Sequence, residues 1–216
     1  MLKLYHLPIS FNSRRVWVAL LEKGLDFELI PLRLDGDQFA PEFLALNPFH
    51  RIPVLVDDDF TVIESLAILD YLEAKYPIPA LLPDDPRSLA KVKMVEMVTL
   101  TELVPLVMLF SQATLWKADI KPQQLSEAKD KTATVLQFFE SLLGDNRFFA
   151  GETFTRAEIV AGTLVPALPF FGVDLQNYPR LTRWSESLAR RESWKATEAT
   201  RQQIAEFVAS RRNLKT

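Results

Sequence analysis

The 216-residue chain contains no cysteine. That absence excludes structural disulfides, thiolate-ligated zinc and every mechanism built on a cysteine nucleophile. Thiol chemistry here must use a thiol brought by a small molecule. Histidine is nearly as scarce: only His6 and His50 are present, so a histidine-rich metal site is not expected, and neither is a resident cofactor. A surplus of positive charge is missing too. The formal net charge is −3, and without a broad basic surface nucleic acid is not an expected partner. No apolar run reaches about 18 residues, so no membrane span or membrane partner is expected. The opening MLKLYHLPIS lacks the apolar stretch and small-residue cleavage site of a secretory leader. These absences lead to the expectation of a soluble cytoplasmic protein.

What is present is enough for a core, since 48% of the residues are hydrophobic. The first third alternates in type. LKLYHL (Leu2–Leu7) and FELIPL (Phe27–Leu32) have strand composition, and SRRVWVALLEKG (Ser13–Gly24) between them is helical with Gly24 as its stop. APEFLALNP (Ala40–Pro48) suggests a short helix halted before Pro48. VLVDDDFTVI (Val54–Ile63) reads as two strands around the acidic turn Asp57–Asp59. ESLAILDYLEAKY (Glu64–Tyr76) has apolar residues at helical spacing. The order βαβ, α, ββ, α predicts a small mixed sheet, because so short a ββ connection must be antiparallel.

PIPALLPDDPR (Pro77–Arg87) follows, stiff with proline, and predicts a linker between an α/β domain over 1–76 and an all-α domain over 88–216. Beyond it the patterns predict helices over Leu89–Gln112 with a kink at Pro105, Pro122–Leu143, Thr155–Pro169, Pro179–Arg190 and Ser193–Arg212. Thr155 and Glu158 have capping-box spacing ahead of a helix apolar nearly all round, the expected buried centre of the second domain.

Three stretches of the first domain carry candidate ligand groups. In PISFNSRRV the turn between strand and helix aims hydroxyls and N–H groups outward, and either Ser10 or Ser13 could serve as helix cap instead. In NPFHRIPVL two potential cations, His50 and Arg51, stand before Ile52-Pro53, which is either a simple strand start or a cis-proline turn. In the second case the backbone of Ile52 is free to pair with a peptide-like ligand. In IESLAIL, Ser65 either caps the helix or helps its N–H groups hold a carboxylate, and Glu64 could take an ammonium. A ligand matching all three has an amino-acid end, a peptide middle and an anionic far end, which describes glutathione.

At this point the chain resembles the cytosolic glutathione transferases, in particular the serine-type, theta-, delta- and phi-like classes. The resemblance rests on Ser10 with Arg15-Val16, on NPFHRIPVL and IESLAIL, on the proline linker, on FFAGETFTRAEI and on YPRLTRW (Tyr178–Trp184), in that order over essentially the whole chain. It implies a thioredoxin-like N-terminal domain with a mixed four-stranded sheet, an all-helical C-terminal domain and a homodimer. Glutathione is then a co-substrate, and a small hydrophobic electrophile the second one, in a detoxifying conjugation. It further implies that Ser10 donates to the glutathione thiolate and that Ile52, ahead of cis-Pro53, pairs with the cysteinyl unit. Glu64 and Ser65 would hold the γ-glutamyl end, and His50, as in the delta-like NPxHxIP pattern, would meet the glycyl carboxylate with Arg51 beside it. Two departures stand out: Leu66 where some serine-type members have arginine, and Glu158 where the buried capping box often ends in aspartate. The lack of cysteine speaks against the omega- and beta-like members. The apolar stretches Leu103–Trp116 and Pro166–Val173 are expected to line the electrophile pocket, between Ser10 and the helical domain. Glutathione-dependent isomerisation or dehalogenation, and a non-catalytic binding role, are the rival readings on the same fold.

Overall fold

The structure, a computed structural model, describes residues 1–213, with side chains as far as Ser210. The chain divides into two units: Met1–Ala80 together with the segment from Glu192 onward, and Leu81–Arg191.

The first unit runs β1 (Leu2–His6), α1 (Phe11–Glu22), β2 (Phe27–Pro31), a 3-10 turn (Asp37–Phe39), α2 (Pro41–Leu46), β3 (Val54–Asp57), β4 (Phe60–Ile63) and α3 (Ser65–Lys75). The sheet has the order β2-β1-β3-β4, with β1 and β2 parallel and the remaining pairs antiparallel. A parallel pair needs a crossover, which α1 supplies. One face of β1 buries Leu2, Leu4 and His6, as the period of two requires. Helices α1 and α3 pack together, burying Val16, Ala19 and Leu20 of one and Ile68, Leu69 and Leu72 of the other. Helix α1 stops at Gly24, whose φ of +62° is open to a residue without Cβ. Lys23, just before it, is buried. Its ammonium donates to the carbonyls of Tyr76 (2.8 Å) and Pro79 (2.9 Å) and pairs with Glu73 at 2.7 Å, closing the C-terminal end of α3.

The two units differ in one respect from the expected division into 1–76 and 88–216. The segment from Glu192 belongs with the first unit, where α9 (Glu192–Ala196) packs on α1. Residues 214–216 of that expectation lie outside the described residues. The helix foreseen over Ser193–Arg212 is also two: α9, then α10 (Arg201–Asn213). At the break Thr197 turns its hydroxyl back onto the Ser193 carbonyl (2.8 Å), and the guanidinium of Arg14 takes the carbonyl of Trp194. The last carbonyls of α9 are thus satisfied by side chains and not by a continuing helix.

The second unit comprises α4 (Pro86–Val98), a π-helical turn (Thr99–Leu103), α5 (Val104–Thr114), α6 (Pro122–Leu143), α7 (Arg156–Gly162), a 3-10 segment (Val165–Phe171) and α8 (Pro179–Ala189). The kink predicted at Pro105 appears as the π turn just ahead of it. Pro105 has no N–H for the carbonyl of Thr101, and the Val104 N–H bonds back to Thr99. The single helix expected over Thr155–Pro169 is broken after Gly162, since Pro166 and Pro169 cannot donate within a continuous α-helix. Every residue of α7 is buried, and Arg156 at its start pairs with the buried Glu96 of α4 at 2.9 Å. The capping box of Thr155 and Glu158 is formed.

One helix bears on the expectation of no membrane span. Pro86–Thr114 is a continuous helical stretch with an 18-residue window of mean hydropathy 1.6, so by length and composition it is able to cross a membrane. Within its unit it packs on α6 and α7 and carries the ion-paired Glu96, a group that a lipid-facing helix does not keep. Its outer face exposes Met94, Met97 and Met108.

Candidate functional site

Strand register decides which loops meet. Tyr5 pairs with Val54, and Val54 pairs with Ile63. The carboxyl end of β1, the amino end of β3 and the carboxyl end of β4 therefore lie at the same end of the sheet. Ser10, Ile52-Pro53 and Glu64-Ser65 collect there, with His50 and Arg51 in the turn that enters β3. All the sequence-predicted site residues are thus at one end of the first unit.

Ser10, not Ser13, is the N-cap of α1: its backbone is extended, and its Oγ accepts from the Ser13 N–H at 3.3 Å. Ser13, the other candidate cap, is fully buried and spends its Oγ as acceptor for the Leu7 N–H (3.4 Å). The reason is the tight Leu7–Ser10 turn, closed by a bond from the Ser10 N–H to the Leu7 carbonyl, which starts the helix at Phe11. A serine hydroxyl has one proton and two lone pairs. The capping bond uses a lone pair, so half-buried Ser10 keeps its proton for an outside acceptor.

The turn into β3 is organised by Asn47, a residue missed in the sequence. Its buried side chain accepts from the Phe49 N–H (3.0 Å) and donates to the Arg51 carbonyl (2.8 Å). The signal was the Asn-Pro pair, a turn-initiating dipeptide. Within this turn His50 has a left-handed backbone, φ 46°, and its exposed ring lies 5.1 Å from that of Phe39. Arg51 is exposed, and its guanidinium pairs with no group among the described residues. The Ile52-Pro53 bond is cis. Ile52 lies outside the ladder, and among the described residues its backbone makes no turn or loop hydrogen bond.

At the third loop Glu64 is the N-cap residue of α3, and Ser65 is the first residue of the helix. Ser65 is therefore not the cap, and no side chain caps this helix. The Ile68 N–H closes the first helical bond, to Glu64, which leaves the N–H groups of Ser65, Leu66 and Ala67 without an intrahelical acceptor. Glu64 holds φ 66° and ψ 117°, a conformation that costs a non-glycine residue on the order of 1–3 kcal/mol. Its carboxylate is exposed and unpaired among the described residues.

His6 is not part of this group. It is buried against Trp17, and burial lowers its pKa to about 4, so the imidazole is neutral at physiological pH. Among the described residues no three His, Cys, Asp or Glu side chains gather to hold a metal ion. The arrangement offers a hydroxyl donor, an unpaired strand-edge backbone, an open helix N-terminus and charges of both signs. These are the groups that an extended, zwitterionic, peptide-like anion requires.

Known proteins match most of the chain. The family model of the glutathione S-transferase N-terminal domain matches residues 4–85, and that of the C-terminal domain matches residues 103–192. The maleylacetoacetate isomerase of Rattus norvegicus is 32% identical over 204 residues, covering 92% of this chain and 93% of its own. Glutathione S-transferase 3 of Zea mays is 36% identical over 210 residues, with the same coverage of 92% and 93%. Among solved structures, a delta-class glutathione transferase of Nilaparvata lugens superposes with a TM-score of 0.84 at 26% identity, over 99% of each chain. A thioredoxin-like unit followed by helices, with these matches, decides the family: the chain belongs to the glutathione S-transferases.

Proposed function

We propose that the protein binds glutathione at this end of the sheet, stabilises its thiolate with Ser10 and transfers the sulfur to small apolar electrophiles in a cytoplasmic detoxifying reaction. The observation that carries the reading is Glu64. It holds an unfavourable backbone conformation and presents a free carboxylate beside the uncapped N-terminus of α3. An ammonium on Glu64 and a carboxylate on Ser65 and the helix N–H groups account for both, as the two halves of the γ-glutamyl head. The Ile52 backbone meets the cysteinyl amide, and His50 with Arg51 meets the glycyl carboxylate. The chemistry needs no resident cofactor. A free thiol has a pKa near 8.5, so only a few per cent is thiolate at pH 7. A hydrogen bond to a charged acceptor contributes about 1.5–3 kcal/mol, or one to two pKa units. Ser10 needs no base partner for this, because it donates and does not attack.

Glu64→Ala is expected to weaken glutathione binding by about 1–3 kcal/mol, the worth of a charged hydrogen bond. Calorimetry on the folded variant checks it, and an unchanged affinity removes the assigned head-group site.

The similarity to maleylacetoacetate isomerases supports a second reading, glutathione-dependent isomerisation. Product analysis separates the two, since isomerisation consumes no glutathione and conjugation consumes one per turnover.

We also propose a homodimer. The helix Pro86–Thr114 is apolar yet only one-third buried across its most apolar window, and its methionines stand exposed on one side. A second copy covers such a face best. Sedimentation is expected to give about twice the chain mass of 24.7 kDa, and a monomer alone at micromolar concentration refutes it.

A further inference from the structure

Two arginines sit near the start of α1, with no acidic residue in its first turn. A helix dipole disfavours cations there, so their placement calls for compensation elsewhere. For Arg14 the compensation lies 180 and 183 residues away in the chain. Its Nη2 donates to the carbonyl of Trp194 at 3.2 Å, and its Nε donates to Thr197 Oγ1 at 3.2 Å. Both acceptors are buried and neutral. Burial lowers the guanidinium pKa, and the neighbouring Glu198 charge acts against that. A second tie runs in parallel, from the Ser193 hydroxyl to the Glu22 carboxylate at the far end of α1. The backbone of Arg14 completes the chain of contacts: its N–H donates to the Ser10 carbonyl at 2.9 Å, the first helical bond of α1.

We propose that Arg14 is a positioning residue for Ser10, holding the first turn of α1 against the C-terminal segment Ser193–Thr197 so that the Ser10 hydroxyl stays on the thiolate. This rests on the reading of Ser10 as the thiolate donor. The segment is thereby part of the active-site support, although it lies 180 residues from Arg14 in the chain. The fork of the guanidinium is what the site uses. Two acceptors, one in α9 and one just past its end, are met by two nitrogens in fixed geometry, which a lysine ammonium does not reproduce. A hydrogen bond to a thiolate depends steeply on distance and direction, so a small rotation of the first turn weakens it before it weakens the fold.

The test uses the full-length protein with glutathione as the probe. The thiolate absorbance of bound glutathione is followed against pH for wild type, Arg14→Lys, Thr197→Val and Thr197→Ser, with kcat, KM and thermal midpoint measured alongside. Arg14→Lys and Thr197→Val are expected to raise the bound thiol pKa by about half a unit to one unit and to lower kcat about three- to tenfold, with KM for glutathione changed far less. Thr197→Ser keeps the hydroxyl and is expected to behave as wild type. A lower thermal midpoint with thiol pKa and kcat unchanged makes the contact purely structural and overturns the proposal. If wild type itself shows no thiolate band with glutathione, the Ser10 reading fails and takes this inference with it. If wild type shows the band and neither variant shifts it, the Arg14 inference alone fails.

Discussion

Ser10→Ala is expected to lower kcat/KM for conjugation about 10- to 100-fold and to raise the pKa of bound glutathione by one to two units, the equivalent of about 1.5–3 kcal/mol from one hydrogen bond to a charged sulfur. The variant also loses the cap of α1, a cost of about 0.5–2 kcal/mol in stability. Ser10→Thr retains both hydroxyl functions and is expected to keep the cap and the thiol pKa close to wild type. Ser13→Ala removes the buried acceptor of the Leu7 N–H, so it is expected to cost stability and leave the thiol pKa in place. A pH–rate profile combined with thiolate absorbance decides. A shifted pKa in Ser13→Ala with none in Ser10→Ala moves the donor role to Ser13. If neither shifts, Asn12 and Tyr5 are the next groups to examine.

Glu158→Ala is expected to destabilise the helical unit by about 2–5 kcal/mol, a large part of a typical total of 5–15 kcal/mol. The buried carboxylate accepts from the Phe149 N–H (2.8 Å), the Thr155 N–H (2.9 Å) and Thr155 Oγ1 (2.7 Å), so one truncation leaves three buried donors without an acceptor. It thereby fastens the loop before α7 to the start of the most buried helix in the unit. Burial raises the carboxyl pKa, and the three donors oppose the shift without cancelling it. A folded pKa above the unfolded one means that the stability linked to protonation is fully present below the unfolded pKa. It is lost as pH rises through the raised folded value. Glu158→Gln removes this titration, so the stability gap between it and wild type is expected to change with pH over that window. Denaturant unfolding at several pH values measures both effects, and a Glu158→Ala loss under about 0.5 kcal/mol, the size of an ordinary surface change, rules out the assigned role.

Local chemistry was legible without coordinates wherever neighbours in the chain settle it. The periodicity of LKLYHL and of Pro122–Leu143, the stop at Gly24, the acidic turn between β3 and β4 and the Thr155–Glu158 box all depend on residues within a few positions of one another. The candidate site was legible as three separate loops, each with an everyday alternative reading. What the residues could not show was that the loops share one end of the sheet. That follows from β3 running antiparallel to β1 and β4 antiparallel to β3.

The errors lie where a distant group intervenes or where backbone geometry overrides composition. Pro166 and Pro169 lie within an apolar run that continues α7 in composition, yet proline cannot donate the bonds such a helix needs. The break at Thr197 carries no strong local signal, because the group that claims the Trp194 carbonyl and the Thr197 hydroxyl is Arg14, near the other end of the chain. The same contact carries the C-terminal segment back to the first unit. The choice between Ser10 and Ser13 turned on a four-residue turn whose closure is a matter of backbone angles. The sequence by itself therefore determined most of the elements and the family, since these depend on residue type and spacing. Only the tertiary structure decided which serine caps α1, which loops converge and what holds the first turn of α1. Those depend on where the unpaired hydrogen-bonding groups of distant segments come to lie.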